Sequence, residues 1–144
     1  MKALGWKDEY ALGIPAVDLQ HRRIFDCIAG MATTGSSRPA GAPAGCSVVQ
    51  LAELLRQHFS LEEHMMRSFY YPELDAHVEQ HRRFQAEVDH LGQTPPGLHG
   101  GVPHATIMAF QTWHCEHVGS SDRLYVEFFL GPRHMRTGGY SAAT

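Results

Sequence analysis

The sequence predicts an all-α fold, an up-down-up-down four-helix bundle with an extended N-terminal arm, and three observations lead to that prediction. Apolar residues recur at the three- and four-residue spacing of a helix in four separate segments. Stretches rich in glycine and proline separate these segments, and none of them shows the strict alternation of a strand. Four amphipathic helices with mostly short connections pack as a bundle of this kind.

Length and composition limit the kind of protein. With 144 residues, 43% of them hydrophobic and 19% charged, the chain is expected to form one globular domain. A formal net charge of -3 gives no reason to expect a nucleic-acid partner. No apolar run reaches membrane-spanning length, and the N-terminus lacks the apolar core of a signal peptide. We therefore expect a cytoplasmic protein without membrane insertion, and a monomer.

The cysteines predict little, whereas the histidines stand out. Cys27, Cys46 and Cys115 are an odd number without paired spacing, so they predict neither a disulfide framework nor a zinc knuckle. We expect Cys27 and Cys115 to pack in the interior and Cys46 to lie in a flexible connection. Histidine occurs 11 times, which is far more than a domain of this size usually contains.

The N-terminal half contains the arm and the first helix. Residues 1–17 are predicted to form the extended arm, because glycine and proline interrupt their apolar pattern. Asp18 is predicted to be the N-cap of the first helix, which is expected to end near Thr33. Residues 35–45 consist almost entirely of glycine, alanine, proline and serine, so we expect a flexible inter-helix loop there.

Three further helices follow this loop. Ser47 and Gln50 have the spacing of a capping box, which predicts that the second helix opens there and continues to about Phe69. The third helix is expected to run from Pro72 or Leu74 to Gly92. Pro103 suits the first turn of the fourth helix, and Gly131-Pro132 would end it. The predicted domain thus spans residues 1–131, and residues 132–144 are expected to be a mobile tail.

The predicted inward face of each helix also carries polar side chains. His58 and Glu62 are one turn apart, on the same face as Leu51, Leu54 and Leu55. Burying such groups unpaired costs several kcal/mol, so a bound metal ion is the simplest way to satisfy them. The complete set of inward polar residues is His21, His58, Glu62, His77, His81, His117 and Asp122.

The types of residue in this set limit the number and the kind of metal ions that they could bind. His77 and His81 are one turn apart, so both imidazoles can bind the same ion. His117 and Asp122 are five residues apart, about 140° around an α-helix, and border the same side without stacking. Five imidazoles and two carboxylates are too many for one ion, whereas two ions bridged by carboxylates would use them all. Imidazole and carboxylate ligands without thiolate favour iron.

These residues resemble the hemerythrin family, and within it the single-domain bacteriohemerythrins. The resemblance covers nearly the whole chain, and all seven family ligand positions hold the family's residue types. It rests on Trp6, Gly13-Ile14, Asp18, Gln20-His21, His58-Phe59-x-x-Glu62-Glu63-x-x-Met66, Tyr71-Pro72, His77-x-x-x-His81-x-x-Phe84 and Trp113-x-x-x-His117-x-x-x-x-Asp122-x-x-Tyr125.

The resemblance implies a centre of two iron ions joined by a hydroxide or oxide. One ion would keep an open position at which O2 binds as a ligand. The implied roles are His77, His81 and His117 on one ion, His21 and His58 on the other, and Glu62 and Asp122 as bridges.

One position departs from the family's pattern. The residue after the tryptophan of the fourth helix is usually apolar, often leucine, but here it is His114. It precedes His117 by three residues and so lies on the same face. We expect Trp113, His114 and Val118 to line the O2 pocket, where His114 would hydrogen-bond oxygen or admit protons and water. The alternative is an imidazole turned toward solvent or a helix neighbour.

The function predicted from these residues is reversible O2 binding, for storage or for delivery to an oxygen-consuming enzyme. We expect an O2-binding protein rather than an enzyme, because the sequence shows no general base, nucleophile or pocket for an organic substrate. Two alternatives stay open at this point. One is an oxygen or redox sensor acting through a signalling partner, and the other is a di-iron peroxide or nitric oxide reductase with His114 as proton donor.

Overall fold

All regular secondary structure in the described ranges is helical, as predicted. The computed structural model describes residues 4–32, 45–93 and 101–131, and within these ranges it contains no strand. The fourth helix of the bundle is interrupted by a π-helical turn, so it consists of α4, this turn and α5. The elements are a 3-10 turn at Asp8–Tyr10, α1 at Pro15–Ala32, α2 at Val48–Ser68, α3 at Leu74–Gly92, α4 at His104–His117, the π turn at Val118–Asp122, and α5 at Arg123–Leu130.

The first helix begins earlier than predicted. Helix α1 starts at Pro15, because proline is well suited to the first helical turn, where its missing N–H is not needed. Asp18 is therefore not the N-cap, and that prediction was wrong. Its carboxylate instead accepts hydrogen bonds from the backbone N–H groups of Leu12, at 2.8 Å, and Gly13, at 3.1 Å. Asp18 thus fastens the arm to the start of α1.

The predicted capping box at the start of α2 is confirmed. Ser47 Oγ accepts a hydrogen bond from the backbone N–H of Gln50 at 3.1 Å, and Gln50 Oε1 accepts one from the backbone N–H of Ser47 at 2.8 Å. Helix α3 begins at Leu74 and ends at Gly92, the second of the two starts that the sequence allowed. All of the predicted loop at 35–45 except Gly45, and the tail at 132–144, lie outside the described residues.

The cysteines form a bond that the sequence analysis did not predict. Cys27 of α1 and Cys46, which directly precedes the cap of α2, form a disulfide with a Cα–Cα distance of 5.0 Å. The prediction of no disulfide was therefore wrong. The two residues are 19 positions apart, and only the packing of α1 against α2 brings them together. Cys115 is a free thiol.

The interior consists of two apolar clusters, and both contact the buried polar residues. One is built from all four helices and includes Ile28, Leu55, Phe59, Phe84 and Phe110. The other lies beside the arm and consists of Leu12, Phe25, Met66, Val118, Tyr125 and Val126. Phe59 stacks on His81 from the first cluster, and Tyr125 hydrogen-bonds Glu62 from the second. Among the described helices, none combines the length and apolar character that crossing a membrane requires.

Candidate metal centre

All seven candidate ligands meet in the interior of the bundle. Each of them is at most 5% exposed, and Glu62 and Asp122 are completely buried. They fall into two groups, within each of which the ligand atoms lie within 4.8 Å of one another. One group is Glu62, His77, His81, His117 and Asp122, and the other is His21, His58, Glu62 and Asp122.

The two carboxylates belong to both groups, so they lie between two adjacent sets of imidazoles. In the larger set, His77 Nε2 and His117 Nε2 are each 3.0 Å from Asp122 Oδ1. In the smaller set, His21 Nε2 is 3.1 Å from Asp122 Oδ2 and 3.3 Å from Glu62 Oε1. Such separations suit neighbouring ligands of an ion held by bonds of about 2.1 Å. The arrangement can hold two ions side by side.

The π turn brings the last ligand into this arrangement. On a regular α-helix, His117 and Asp122 would be about 140° apart, as expected above. The five residues Val118–Asp122 instead form a wider π turn, which places both side chains on the same face. The expectation that both residues border the same side agrees with the distance of 3.0 Å between His117 Nε2 and Asp122 Oδ1. The π turn itself was not predicted.

The donor atoms in this space fit a metal better than they fit each other. Within the described part of the chain, His58 Nε2, His77 Nε2, Glu62 Oε2 and both oxygens of Asp122 have no partner with hydrogen-bond geometry. Both nitrogens of His21 also lack such a partner, although Nε2 lies within ion-pair distance of the carboxylates of Glu62 and Asp122. Buried polar atoms are nearly always satisfied, so a cluster of unsatisfied lone pairs pointing at one space indicates a cation site.

Three residues orient the ligands from outside this space. Gln20 Oε1 lies 2.8 Å from His58 Nδ1, and Glu63 Oε1 lies 2.9 Å from His81 Nδ1. Each contact favours a proton on Nδ1, so that Nε2 is the nitrogen available to bind a metal once it is deprotonated. The hydroxyl of Tyr125 donates to Glu62 Oε1 at 2.8 Å.

These three residues belong to the family motif, but their sequence positions alone predicted no role for them. Gln20 and Glu63 each adjoin a candidate ligand in sequence, namely His21 and Glu62. That adjacency, together with the general need of a ligating imidazole for a second partner, is the signal that would have found them.

The metal-free centre balances its own charges. Burial opposes ionisation of Glu62, but the neighbouring imidazoles of His58 and His21 hold its pKa well below the usual value. Burial and the charge of Glu62 oppose ionisation of Asp122, yet His117 and His21 keep its pKa well below the usual value too. Without a metal, both carboxylates are therefore negatively charged.

The imidazoles supply the opposite charge. Burial disfavours the charged form of His21, but contacts with Asp122 and Glu62 raise its pKa to about 9. Burial acts likewise on His81, and Glu62 and Glu63 raise its pKa to about 9. At neutral pH these two imidazoles therefore hold protons, which a metal ion has to displace.

Aromatic rings shield the centre on the side of α3 and α4. The ring of Phe59 stacks on His81 with centroids 3.8 Å apart. Trp113 stacks between His117, at 4.4 Å, and Phe84, at 3.9 Å. Such packing holds the imidazole rings in place and keeps water out of the interior.

His114 lies in the interior, beside the smaller set of ligands. It is 1% exposed, and its ring centroid is 5.4 Å from that of His21 and 4.3 Å from that of Phe25. Burial holds its pKa well below the usual value, so its imidazole is neutral. Of the other two residues expected at the O2 pocket, Trp113 stacks on His117 and Val118 is buried beside Phe25 and Met66.

Comparisons with known proteins agree with this site. The family model described as the hemerythrin HHE cation binding domain matches residues 12–129. The chain is 31% identical over 84 residues to a bacteriohemerythrin from Stenotrophomonas maltophilia, an alignment covering 58% of this chain and 54%, about half, of the relative. It is 28% identical over 130 residues to a bacteriohemerythrin from Clostridium acetobutylicum, covering 85% of this chain and 98% of the relative. A myohemerythrin from Theromyzon tessulatum is 27% identical over 122 residues, covering 83% and 88%.

Proposed function

The chain belongs to the hemerythrin family. We propose that it holds two iron ions in its interior and binds O2 reversibly at this di-iron centre. The observation that carries this proposal is the pair of ligand groups sharing Glu62 and Asp122. Two bound ferrous ions would supply the two electrons that O2 takes up and gives back. The family model, whose description names cation binding, and the hemerythrin names of the relatives support the same function.

The two ligand groups differ in size, and this difference indicates at which ion O2 would bind. Three imidazoles and two carboxylates would leave one ion almost fully ligated, with a bridging hydroxide or oxide as its sixth ligand. Two imidazoles, the same two carboxylates and the shared hydroxide or oxide would give the other ion five ligands and leave one position open. We assign His77, His81 and His117 to the first ion and His21 and His58 to the second. The open position would thus belong to the ion that His21 of α1 and His58 of α2 bind.

The protein's own part in this function is to keep the exchange reversible. The candidate ligands are buried among apolar and aromatic side chains, so water and acids have little access to them. We assign the lining of the O2 pocket to Trp113, His114 and Val118. The role that follows is storage of O2 or its delivery to an oxygen-consuming enzyme.

One observation favours a second function. His114 places a buried imidazole beside the smaller ligand group, and this ring, which is neutral at rest, would take up a proton and pass it to a bound ligand. A centre with a proton donor at this point would act as a peroxide or nitric oxide reductase rather than as an O2 carrier. The two functions differ in whether the oxygenated form survives.

Repeated oxygenation tests the proposed function. The iron-loaded protein is reduced anaerobically, exposed to O2 and purged, and its optical absorption is recorded through several cycles. Reversible binding predicts that the oxygenated spectrum returns with the same amplitude in each cycle. Loss of that spectrum to a diferric form in the first cycle would contradict O2 carriage.

The variant His114→Leu, taken through the same cycles, separates the two functions. A reductase with His114 as donor predicts that the wild type oxidises quickly and that the variant oxidises much more slowly. Equal rates in both proteins would exclude His114 as the source of the proton.

A further inference from the structure

Among the described residues, His114 is a buried imidazole that the ligand set leaves unused. It is 1% exposed, and neither Nδ1 nor Nε2 has a hydrogen-bond partner within the described ranges. A neutral imidazole has one N–H donor and one acceptor nitrogen, so the described interior leaves one of each unsatisfied. Native structures rarely retain such a group unless a water, an ion or a ligand completes it. A hydrogen-bond partner, which accepts from the N–H group or donates to the other nitrogen, is therefore expected next to His114.

The position of this imidazole indicates what it faces. His114 belongs to neither group of mutually close ligand atoms, so it is placed outside the set that would hold the ions. Its ring nevertheless makes an edge contact with His21, which belongs to the smaller group only. Phe25 covers it on another side. A donor just outside the ligands of an ion is placed to contact a small molecule bound to that ion.

We propose that His114 donates a hydrogen bond to a small anion bound at the side of the centre formed by His21 and His58. The inference rests on the proposed metal centre and adds to it a hydrogen-bond donor of this chain, the imidazole of His114, for a small anion bound there. His114 acts here as a specificity-determining residue. A protein with an apolar side chain at this position would bind the same anions less tightly, because no other group would replace the N–H donor of His114.

Azide is a suitable probe, because it is a small anion that accepts hydrogen bonds and can be titrated into the diferric protein. Its affinity is measured by optical titration in the wild type, His114→Leu and His114→Gln. A hydrogen bond to a charged acceptor predicts about 10- to 100-fold weaker binding in His114→Leu. His114→Gln retains an N–H donor and is expected to recover part of that loss.

Gln111 provides the matched control. It is a buried amide on α4, one turn before His114, with an unsatisfied Oε1 of its own in the described chain. Its Nε2 donates to Cys115 Sγ at 3.5 Å rather than to a residue of the ligand groups. Gln111→Leu is therefore expected to bind azide within about twofold of the wild type, since no hydrogen bond to the anion is lost.

Two results would overturn the proposal. Unchanged azide affinity in His114→Leu would mean that His114 contacts only a structural water. Tighter binding in His114→Leu would mean that His114 itself ligates the ion and blocks the open position. Iron content distinguishes these failures from a failure of the proposed function. A wild type with fewer than two irons per chain contradicts both proposals, whereas two irons with unchanged azide binding contradict only the role of His114.

The metal-free protein gives an independent readout. If the nitrogens of His114 lack partners in the folded protein, replacing the ring with leucine removes a buried, unsatisfied group. His114→Leu without metal is then expected to unfold at a higher urea concentration than the wild type. A lower midpoint would show that His114 has a structural partner and would overturn the proposal.

Discussion

At the scale of single residues, the candidate metal centre contains negatively charged carboxylates and protonated imidazoles whose charges balance one another without a metal ion. Two carboxylates with depressed pKa values face two imidazoles, His21 and His81, whose pKa values are raised to about 9. The protons on these imidazoles neutralise the carboxylates when no metal is present. A metal ion takes over that role and requires neutral imidazoles.

Metal binding should therefore release protons. Between the ordinary histidine pKa of 6.5 and the raised value of about 9, the metal-free protein holds protons that the metal-bound protein does not. We expect about two protons to be released per chain at pH 7. Anaerobic calorimetry with ferrous iron in buffers of different ionisation enthalpy measures this number directly.

The same charges predict how iron affinity depends on pH. Affinity should rise with pH throughout the range below about 9 and should level off above that pH, when His21 and His81 are neutral without metal. An affinity independent of pH across this range, with no proton release, would contradict the charge balance described here.

The residues that orient the ligands should also affect metal affinity. Gln20→Ala removes the partner of His58 Nδ1 without touching a ligand, so the imidazole loses its preferred tautomer and orientation. We expect iron affinity to fall about 10- to 100-fold. Gln57→Ala is the control, because Gln57 is an exposed glutamine on the same helix as His58 and bonds only to Glu53 among the described residues. Equal losses in both variants would show that Gln20 has no specific role.

The seven ligand positions could be predicted from sequence because each lies on the inward stripe of its own helix. Their supporting partners could not be found in this way. The contacts of Gln20, Glu63 and Tyr125 cross between helices over 38, 18 and 63 positions. Helical periodicity carries no information about contacts between helices, so these roles emerged only from the packing.

At the scale of helices, the end of α2 contains a residue in a strained conformation. The backbone N–H of Tyr71 donates to Met66 C=O at 2.9 Å, and that of Tyr70 donates to Arg67 C=O at 3.2 Å. These paired bonds form a Schellman motif, whose left-handed position usually holds glycine. Here that position holds Tyr70, with φ +56° and a side chain that is 89% exposed.

Tyr70→Gly should therefore stabilise the protein. The left-handed conformation costs a residue with a Cβ about 1 kcal/mol relative to glycine, and the exposed ring contributes little packing. We expect the free energy of unfolding to rise by about 1 kcal/mol, measured by urea denaturation. Tyr70→Ala is the control, since it removes the ring but keeps the strain. If Tyr70→Ala stabilised the protein as much as Tyr70→Gly, the ring and not the backbone would be the cause.

The π turn marks the limit of sequence reasoning at this scale. The sequence placed His117 and Asp122 on one helix but predicted regular α-geometry between them, which would separate them by about 140°. Nothing in the apolar pattern of Val118–Asp122 distinguishes a π turn from an α turn. The wider turn is recognised only when both side chains are required to reach the same ions.

At the scale of the whole molecule, the disulfide ties α1 to α2. These helices contribute the smaller ligand group except for Asp122, so the bond joins the two elements that hold His21 and His58. The four-helix arrangement followed from periodicity, whereas the disulfide depends on which helices are neighbours. A disulfide of this kind persists in oxidising compartments, so the cytoplasmic location expected from the sequence stays a prediction.

Breaking the disulfide should lower stability substantially. Closing a segment with a sequence separation of 19 removes chain entropy from the unfolded state. We expect Cys46→Ser to lower the free energy of unfolding by about 3 kcal/mol under oxidising conditions. Cys115→Ser, which changes the free thiol, should have a smaller effect. If a reducing agent leaves the unfolding of the wild type unchanged, the bond either does not form or contributes no stability.

The number of iron ions per chain tests the central claim most directly. Anaerobically loaded protein is desalted, and its iron and protein contents are measured for the wild type, His77→Ala and His58→Ala. The two substituted residues each belong to only one ligand group, and His64→Ala serves as an exposed control on α2. We expect about two iron ions per chain in the wild type and the control, and about one per chain in each ligand variant. A single ion in the wild type, or two ions retained in both ligand variants, would contradict a two-ion centre built from these residues.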